Sequence, residues 1–450
     1  MKKLYLSLLI GILCLIWISP TNAQQVNTLY FMENSPLRSN FNPSFQPTSN
    51  FYFGFPVLGL TYFGLGNNSL TLKDVVYNKN GETIWFLNPS GDVDKFYNSL
   101  KPITLLNTNF QINLLNFGFR QGNSYWTFDV NEKANVNIGL PKDMLKLLLY
   151  GTPQAENNYF NFKDLQVNVS AYTEFALGYS RIINEQFTVG GKLKFLLGNA
   201  TISNANNYMD LNAGVEQWNI KANGTLNIAV PGEMTIGDKF ESMKYTRPDN
   251  ARGWMKPSGT GVGVDLGVTY KPMNELAISA ALVDIGTIKW NKNMKKVNYN
   301  MDYTSDGIAN IDNLDSVNMQ AFLDTLGNAI KNSVTTEQQS KGFSTSTFPK
   351  LRLGAEYSFS DNKYSVGLLS TTTKVNNSMY EDITTSFNMR PTSWFNMSLA
   401  YSLLNGQASN LGIALGLRTG FIYWSLSTDY FSFNNAPLKL NDLNESPPKK

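Results

Sequence analysis

Apolar and polar residues alternate along most of this chain. From Trp218 to Val230, "WNIKANGTLNIAV" sets Trp218, Ile220, Ala222, Leu226, Ile228 and Val230 on one side and Asn219, Lys221, Asn223, Thr225 and Asn227 on the other. That period of two is the pattern of a strand with one apolar face. "YWTFDVNEKANVNIGL" repeats it with Trp126, Phe128, Val130, Ala134, Val136 and Ile138, Glu132 being the exception. Val264, Leu266, Val268 and Tyr270 follow it, as do Leu411, Ile413, Leu415 and Leu417, then Ile422, Trp424, Leu426 and Tyr430. Several runs keep the alternation for about 9 to 13 residues, the length a tilted strand needs to cross a bilayer, whereas sandwich strands usually stop near five or six. A membrane barrel is therefore expected rather than a sandwich.

The connections are lopsided. Tight turns at residues 120–123 (RQGN), 183–186 (INEQ), 271–275 (KPMNE), 360–363 (SDNK) and 390–394 (RPTSW) alternate with much longer links. Short turns on one rim and long loops on the other are typical of outer-membrane barrels. Two long links carry helical patterning, "PKDMLKLLLYG" from Pro141 and "NLDSVNMQAFLDTLGNAIK" from Asn313, and both are expected on the long-link rim. Aromatics near strand ends, namely Tyr179, Tyr270, Trp290, Tyr357, Phe359, Tyr423, Trp424 and Tyr430, fit interfacial girdles.

Composition supports an all-β class: 450 residues hold 22 Tyr, 28 Phe, 8 Trp and 34 Gly, with only 16% charged, rich in strand and turn formers. Residues 1–23 read as a signal peptide, with Lys2 and Lys3, an apolar stretch from Leu4 to Ile18, and Thr21-Asn22-Ala23 before Gln24. Cys14 lacks the small preceding residue of a lipoprotein signal. Losing Lys2 and Lys3 lowers the formal charge from +3 to +1, too near neutral to imply nucleic acid. The mature chain then has no Cys, and the whole chain has no His. This excludes disulfides, thiol chemistry, Ser-His-Asp or Cys-His catalysis and His-ligated metals; neither a cofactor nor enzyme activity is expected. After the leader no apolar run is long enough for a helix to span a membrane, so any crossing must use strands.

Candidate chemistry is sparse. "SGTGVGVDLG" from Ser258 lacks the Lys-Ser/Thr of a phosphate loop and runs into a strand. Asp306, Asp312 and Asp315 with Asn310 and Asn313 offer oxygen ligands, but the spacing does not fit a calcium loop, so a solvated loop is expected. Nothing in the spacing brings Glu174 and Glu356 together as a hydrolase pair. Lys192, Lys194, Lys221, Asp265, Glu356 and Asp429 are candidates to line a barrel lumen.

Longer motifs carry a family resemblance. "ENSPLRSNFNPSFQP" followed by "FPVLGL", "ALGYSRIINEQFTVGGKLKFLLG" from Ala176, "VGVDLGVTYKPMNELAISAALVDIG" from Val262, "LRLGAEYSFSDNKYSVGLLS" and "NMRPTSWFNMSLAYS" together resemble a Bacteroidota outer-membrane family known as a domain of unknown function. That family is itself similar to FadL-like long-chain fatty-acid transporter barrels. The resemblance implies a transmembrane antiparallel barrel of about 14 strands and an N-terminal hatch. Asn42 and Pro43 match the Asn-Pro motif of such hatches, with Asn40 beside them. The chain departs from the pattern where "NNAPLKLNDLNESPPKK" follows Phe433 in place of a closing glycine-rich strand.

The expected organisation is a signal peptide at 1–23, a hatch-like segment at 24–50, a barrel at 51–433 and a polar tail at 434–450. The expected function is passage or binding of a hydrophobic or small solute in the outer membrane of a Gram-negative bacterium. The rivals are a scaffold binding a protein partner of secretion or surface assembly through the long loops, residues 291–348 above all, and a soluble periplasmic β-protein. Lipid is the expected surrounding, and no nucleic acid.

Overall fold

The structure, a computed structural model, describes residues 27–431 apart from 55–60, 71, 80, 89, 151–157, 215–216, 237–242, 247–248, 250–255, 306–333, 339–340, 376–377 and 405–406. The expected leader at 1–23, the second loop helix, the Asp306–Asp315 cluster and the tail at 434–450 lie outside the described residues.

Alternation produces strands almost wherever it occurs. β1 (Phe51–Gly54) and β2 (Thr61–Asn67) precede a small hairpin, β3 (Val76–Lys79) and β4 (Glu82–Trp85), and then β5 (Ile103–Gln121) and β6 (Ser124–Pro141). β7 (Asn158–Asn161), β8 (Gln166–Ile182), β9 (Phe187–Ala213) and β10 (Trp218–Ala229) follow. A second hairpin, β11 (Glu233–Ile236) and β12 (Met243–Thr246), leads to β13 (Gly259–Met273), β14 (Leu276–Trp290) and β15 (Met294–Ser305). After β16 (Val334–Gln338), β17 (Phe343–Ser346) and β18 (Lys350–Phe359) come β19 (Tyr364–Val375), β20 (Ser378–Thr392), β21 (Phe395–Leu404), β22 (Gln407–Thr419) and β23 (Ile422–Phe431).

Antiparallel pairing carries a wall from β1 and β2, which share β5 as partner, through β6, β8, β9, β13, β14, the β17 and β18 pieces, β19, β20, β21 and β22 to β23. Among the described residues this makes thirteen wall positions in a large, nearly closed barrel, where about fourteen were expected. β1 and β23 both start at the tight-turn rim and run the same way, touching where the Phe53 N–H donates to the Phe421 carbonyl at 3.4 Å. Every expected tight turn is present between consecutive wall strands, Gly122 in the first of them at positive φ, and a further tight turn between β22 and β23 has Gly420 at positive φ. On the opposite rim most links are long, but those between β19 and β20 and between β21 and β22 are short.

Strand parity decides what faces out, and it is the apolar side. On β9, Phe187, Val189, Leu193 (69% exposed) and Phe195 point outward while Lys192 (2%) and Lys194 (7%) are buried. Val262 and Leu266 on β13, Leu351 and Leu353 on β18, Leu399 and Tyr401 on β21 and Leu426 on β23 extend this belt. The buried parity is polar: Asn131, Glu174, Asp265, Thr384, Asn388 and Ser398 all lie inside. A water-soluble fold has the reverse arrangement. Aromatics band the tight-turn rim, where Trp126 meets Tyr179 (4.7 Å between ring centroids), Phe187 stacks on Tyr270 (4.6 Å) and Phe359 stacks on Tyr364 (5.8 Å).

Three expectations need correction. Tyr423 points inward, its hydroxyl donating to Asn396 Oδ1 at 2.9 Å, because its neighbour Trp424 takes the outward position. Trp290 is fully buried with Tyr172, Leu196, Ile288 and Met294, since a bulge at Asp284 reverses the parity of β14. Trp218–Ala229, as regular an alternation as any, is not a wall strand: β9 outgrows β13, and its upper half pairs with β10, which pairs in turn with β15. The side chain of Tyr430 lies outside the described residues.

This raised sheet has ordinary burial. Trp218, Ile220 and Ala222 of β10 pack on Phe160, Phe162, Leu211, Met301 and Leu147. Leu147 comes from the helix Lys142–Tyr150, the one expected from Pro141. Leu145 and Leu149 of that helix pack against a second cluster of Leu70, Val75, Phe86, Phe96 and Leu100. The long-link rim thus carries a cap with its apolar residues inside.

Candidate functional site

Residues 27–50 fold inside the tight-turn half of the barrel. Two short 3-10 turns, Asn27–Phe31 and Pro36–Asn40, carry Leu29, Tyr30, Phe31, Met32, Leu37 and Phe41 into a small apolar knot against Leu369 and Ala414 of the wall. Ser35 caps the second turn, its Oγ accepting from the Leu37 N–H, and Pro36 fits the first helical position because it lacks an amide to satisfy. Asn42 Oδ1 accepts from the backbone N–H (2.9 Å) and hydroxyl (2.7 Å) of Ser44, an Asx turn that holds Pro43 against the wall. Ser44 Oγ meets Thr269 Oγ1 at 2.7 Å, and the Tyr30 hydroxyl meets Ser279 Oγ at 2.8 Å.

Ionic contacts clamp this segment from several sides. Lys192 Nζ donates to Asp129 Oδ2 (2.8 Å), Asn40 Oδ1 (2.6 Å) and Ser39 Oγ (3.5 Å), joining β9, β6 and the segment. Arg390 reaches Glu33 and Glu356 at 3.0 Å each, while Arg38 lies 3.5 Å from Glu356. The turn at Ser360–Asn362, all three at positive φ, also presents the Asn362 carbonyl and Oδ1 to Arg390. Burial alone would raise the Glu33 carboxyl, but Arg390 and Arg38 outweigh it and hold it below the usual carboxylate range. Arg120 donates to Gln46 Oε1 (2.7 Å) and the Pro47 carbonyl (2.6 Å) where the chain leaves for β1.

Above the segment lies a polar cavity of about 140 Å³ with Asn40 and Phe41 in its floor. One wall is ionic. Lys194 is 2.7 Å from Asp265, 2.8 Å from Asp284 and 3.4 Å from Glu174; Lys133 is 2.9 Å from Glu174 and 3.2 Å from Asp284; Lys350 is 3.6 Å from Asp284. Asp284 sits at the β14 bulge with φ 59°, and its N–H donates to Asp265 Oδ1 at 2.7 Å. Bulges re-aim side chains in this way, and Asp tolerates the left-handed region better than most residues. The other wall is amide, from the facing strands β5 and β6.

Of the lumen candidates, Lys192, Lys194 and Asp265 meet in this interior, and Lys192 contacts Asn40 of the hatch motif. Glu356 is also inside, but near the tight-turn rim with Arg38 and Arg390, apart from Glu174's lysines. Lys221 is a correction: it lies half-exposed on β10, outside the wall, 3.6 Å from Asp302. Asp429 is in β23, its side chain outside the described residues. Lys133, Asp284, Lys350, Arg352 and Arg390 were not anticipated. Their signal was available in the polar half of each alternation, as in "KLRLG", where Lys350 and Arg352 interleave with Leu351 and Leu353.

No curated protein matches this chain. A family profile matches residues 43–429, from Pro43 of the N-terminal segment inside the barrel to the last wall strand. The chain therefore belongs to the family of unknown function DUF5723.

Proposed function

We propose that this chain is an outer-membrane β-barrel, exported by its leader, whose hatch-closed lumen binds and passes a small solute. The observation that carries this reading is the inverted wall, apolar outside and ionic inside, closed at one end by residues 27–50. A belt of large apolar side chains exposed around the wall is a surface that water-exposed monomers rarely carry. Lipid on that belt removes the difficulty, and the aromatic band suits a bilayer interface. The ionic cavity favours a polar solute over the hydrophobic one that similarity to FadL-like barrels implied.

The test begins with Leu193→Lys. In lipid the change should destabilise by about 2–4 kcal/mol near the midplane, whereas a water-facing position would shift by less than about 0.5. Heat-modifiable gel mobility and extraction only by detergent should accompany it. Extraction in salt buffer with mobility unchanged by boiling would instead support the soluble periplasmic reading. For transport, solute uptake into liposomes should rise when residues 24–50 are deleted. No uptake in either form, with a co-purifying protein, would favour the scaffold.

A further inference from the structure

Two cross-strand rungs of the cavity wall are built entirely of asparagine: Asn107 faces Asn137, and Asn109 faces Asn135, between β5 and β6. Below them Gln111 and Asn113 donate to Asn131, which donates to Glu174, so the lower amides are held by one another and by the ionic wall. The upper four are different. Among the described residues their side chains make no hydrogen bond, and Asn107 Oδ1 and Asn137 Nδ2 are buried without a partner. Asn40 Nδ2, in the floor, is likewise unpartnered. Unfilled amides in a closed space are costly unless something else fills them.

The chemistry of that something is constrained from both walls. The ionic side offers Lys133, Lys194, Lys350 and Arg352 against Glu174, Asp265, Asp284 and Asp382, equal numbers of each sign. Its three lysines are already paired. An ionic ligand would gain no net attraction there and would have to break existing bridges. A primary amide presents two donors and two acceptor lone pairs. Four of them on a strand pair form a grid spaced by roughly 7 Å along the strands and 5 Å across. A ligand matching this needs several groups that each donate and accept, which describes hydroxyls. The cavity's 140 Å³ admits about ten waters, or a liquid volume of roughly 300 Å³. Tyr172, Phe41 and Phe348 add apolar faces.

Building on the lumen-binding reading above, we infer that the cavity is a binding site for an uncharged, hydroxyl-rich solute of mono- to disaccharide size, held by Asn107, Asn109, Asn135 and Asn137. The full-length mature protein in detergent is titrated calorimetrically with glucose, maltose, glycylglycine and sodium phosphate. A saturable sugar isotherm is expected, weakened about tenfold or more in both N109L/N135L and N109A/N135A. Retained heat-modifiable mobility and protection of buried Arg38 from trypsin show that barrel and hatch are intact in those variants. Absence of sugar binding at millimolar concentrations, binding of glycylglycine or phosphate instead, or sugar binding unchanged in intact double variants would each overturn the assignment. Loss of heat-modifiability in the parent protein would count against the membrane barrel and leave the sugar titration to be judged by itself.

Discussion

Gly267 has no room for a side chain because residues 42 and 43 occupy it: a Cβ there would overlap Asn42 Oδ1 and come within 2.9 Å of Pro43 Cδ. Gly190 is in the same position against the Pro43 carbonyl. These wall glycines form the seat of the Asn-Pro motif, so the motif and its seat are parts of one contact. Gly267→Ala, and Gly267→Val more strongly, should therefore lift the segment while leaving β13 paired. Arg38, the one basic residue between Gln24 and Asn50, is buried when the segment is seated. Cleavage after Arg38 by trypsin should accelerate by at least an order of magnitude in the variants, and equal protection would show that the seat tolerates the added carbon. Asn42 and Pro43 are marked by the family resemblance, as a match to its Asn-Pro motif. Their glycine partners could not be, since nothing in one sequence links positions 42 and 267.

At the scale of elements, alternation identifies strands well and their surroundings poorly. β10 and β9 alternate alike, yet one packs its apolar face on the cap and the other turns its apolar face outward; period two reports that two faces differ, not what covers each. Parity also fails wherever a bulge inserts a residue. On β14 the outward set runs Ile278 and Leu282, but beyond Asp284 Ile288 and Trp290 are inside, so Trp290 left the girdle that strict alternation assigned it. The same bulge aims Asp284 at three lysines. Asp284→Asn keeps a residue that tolerates φ 59° and loses the shared charge; Asp284→Ala loses both. Stripping a buried ionic network of one partner costs about 3–5 kcal/mol, and left-handed backbone adds about 1–2 for alanine. Midpoints of urea unfolding, followed by heat-modifiable mobility, should fall in the order parent, Asp284→Asn, Asp284→Ala. Equal midpoints for the two variants would mean that the bulge backbone is unstrained.

For the whole molecule, residues 27–50 are held in the barrel by an apolar knot, by neutral hydrogen bonds and by an ionic clamp, so their seating should depend on charge in a directed way. Glu33 belongs to the hatch, Arg390 and Glu356 to the wall, and Arg38 returns from the hatch to Glu356. Because Arg390 and Arg38 overcome burial to keep the Glu33 carboxyl below its ordinary range, the seated hatch favours the ionised form. The sign follows by linkage: the contribution is fully present above the free glutamate pKa, near 4.3, and is lost as pH falls through the lower seated value. Conductance of the reconstituted protein in a planar bilayer should therefore stay flat from pH 8 to about 5 and rise only in more acidic solution. Glu33→Gln removes the charge at every pH, so it should conduct more at neutrality and lose part of the acid-induced rise. Arg390→Met strips both Glu33 and Glu356 of their shared cation and should open the barrel further. An opening step near neutral pH, or profiles for Glu33→Gln that superimpose on the parent, would move control of the hatch away from this clamp and toward the Lys192 contact with Asn40.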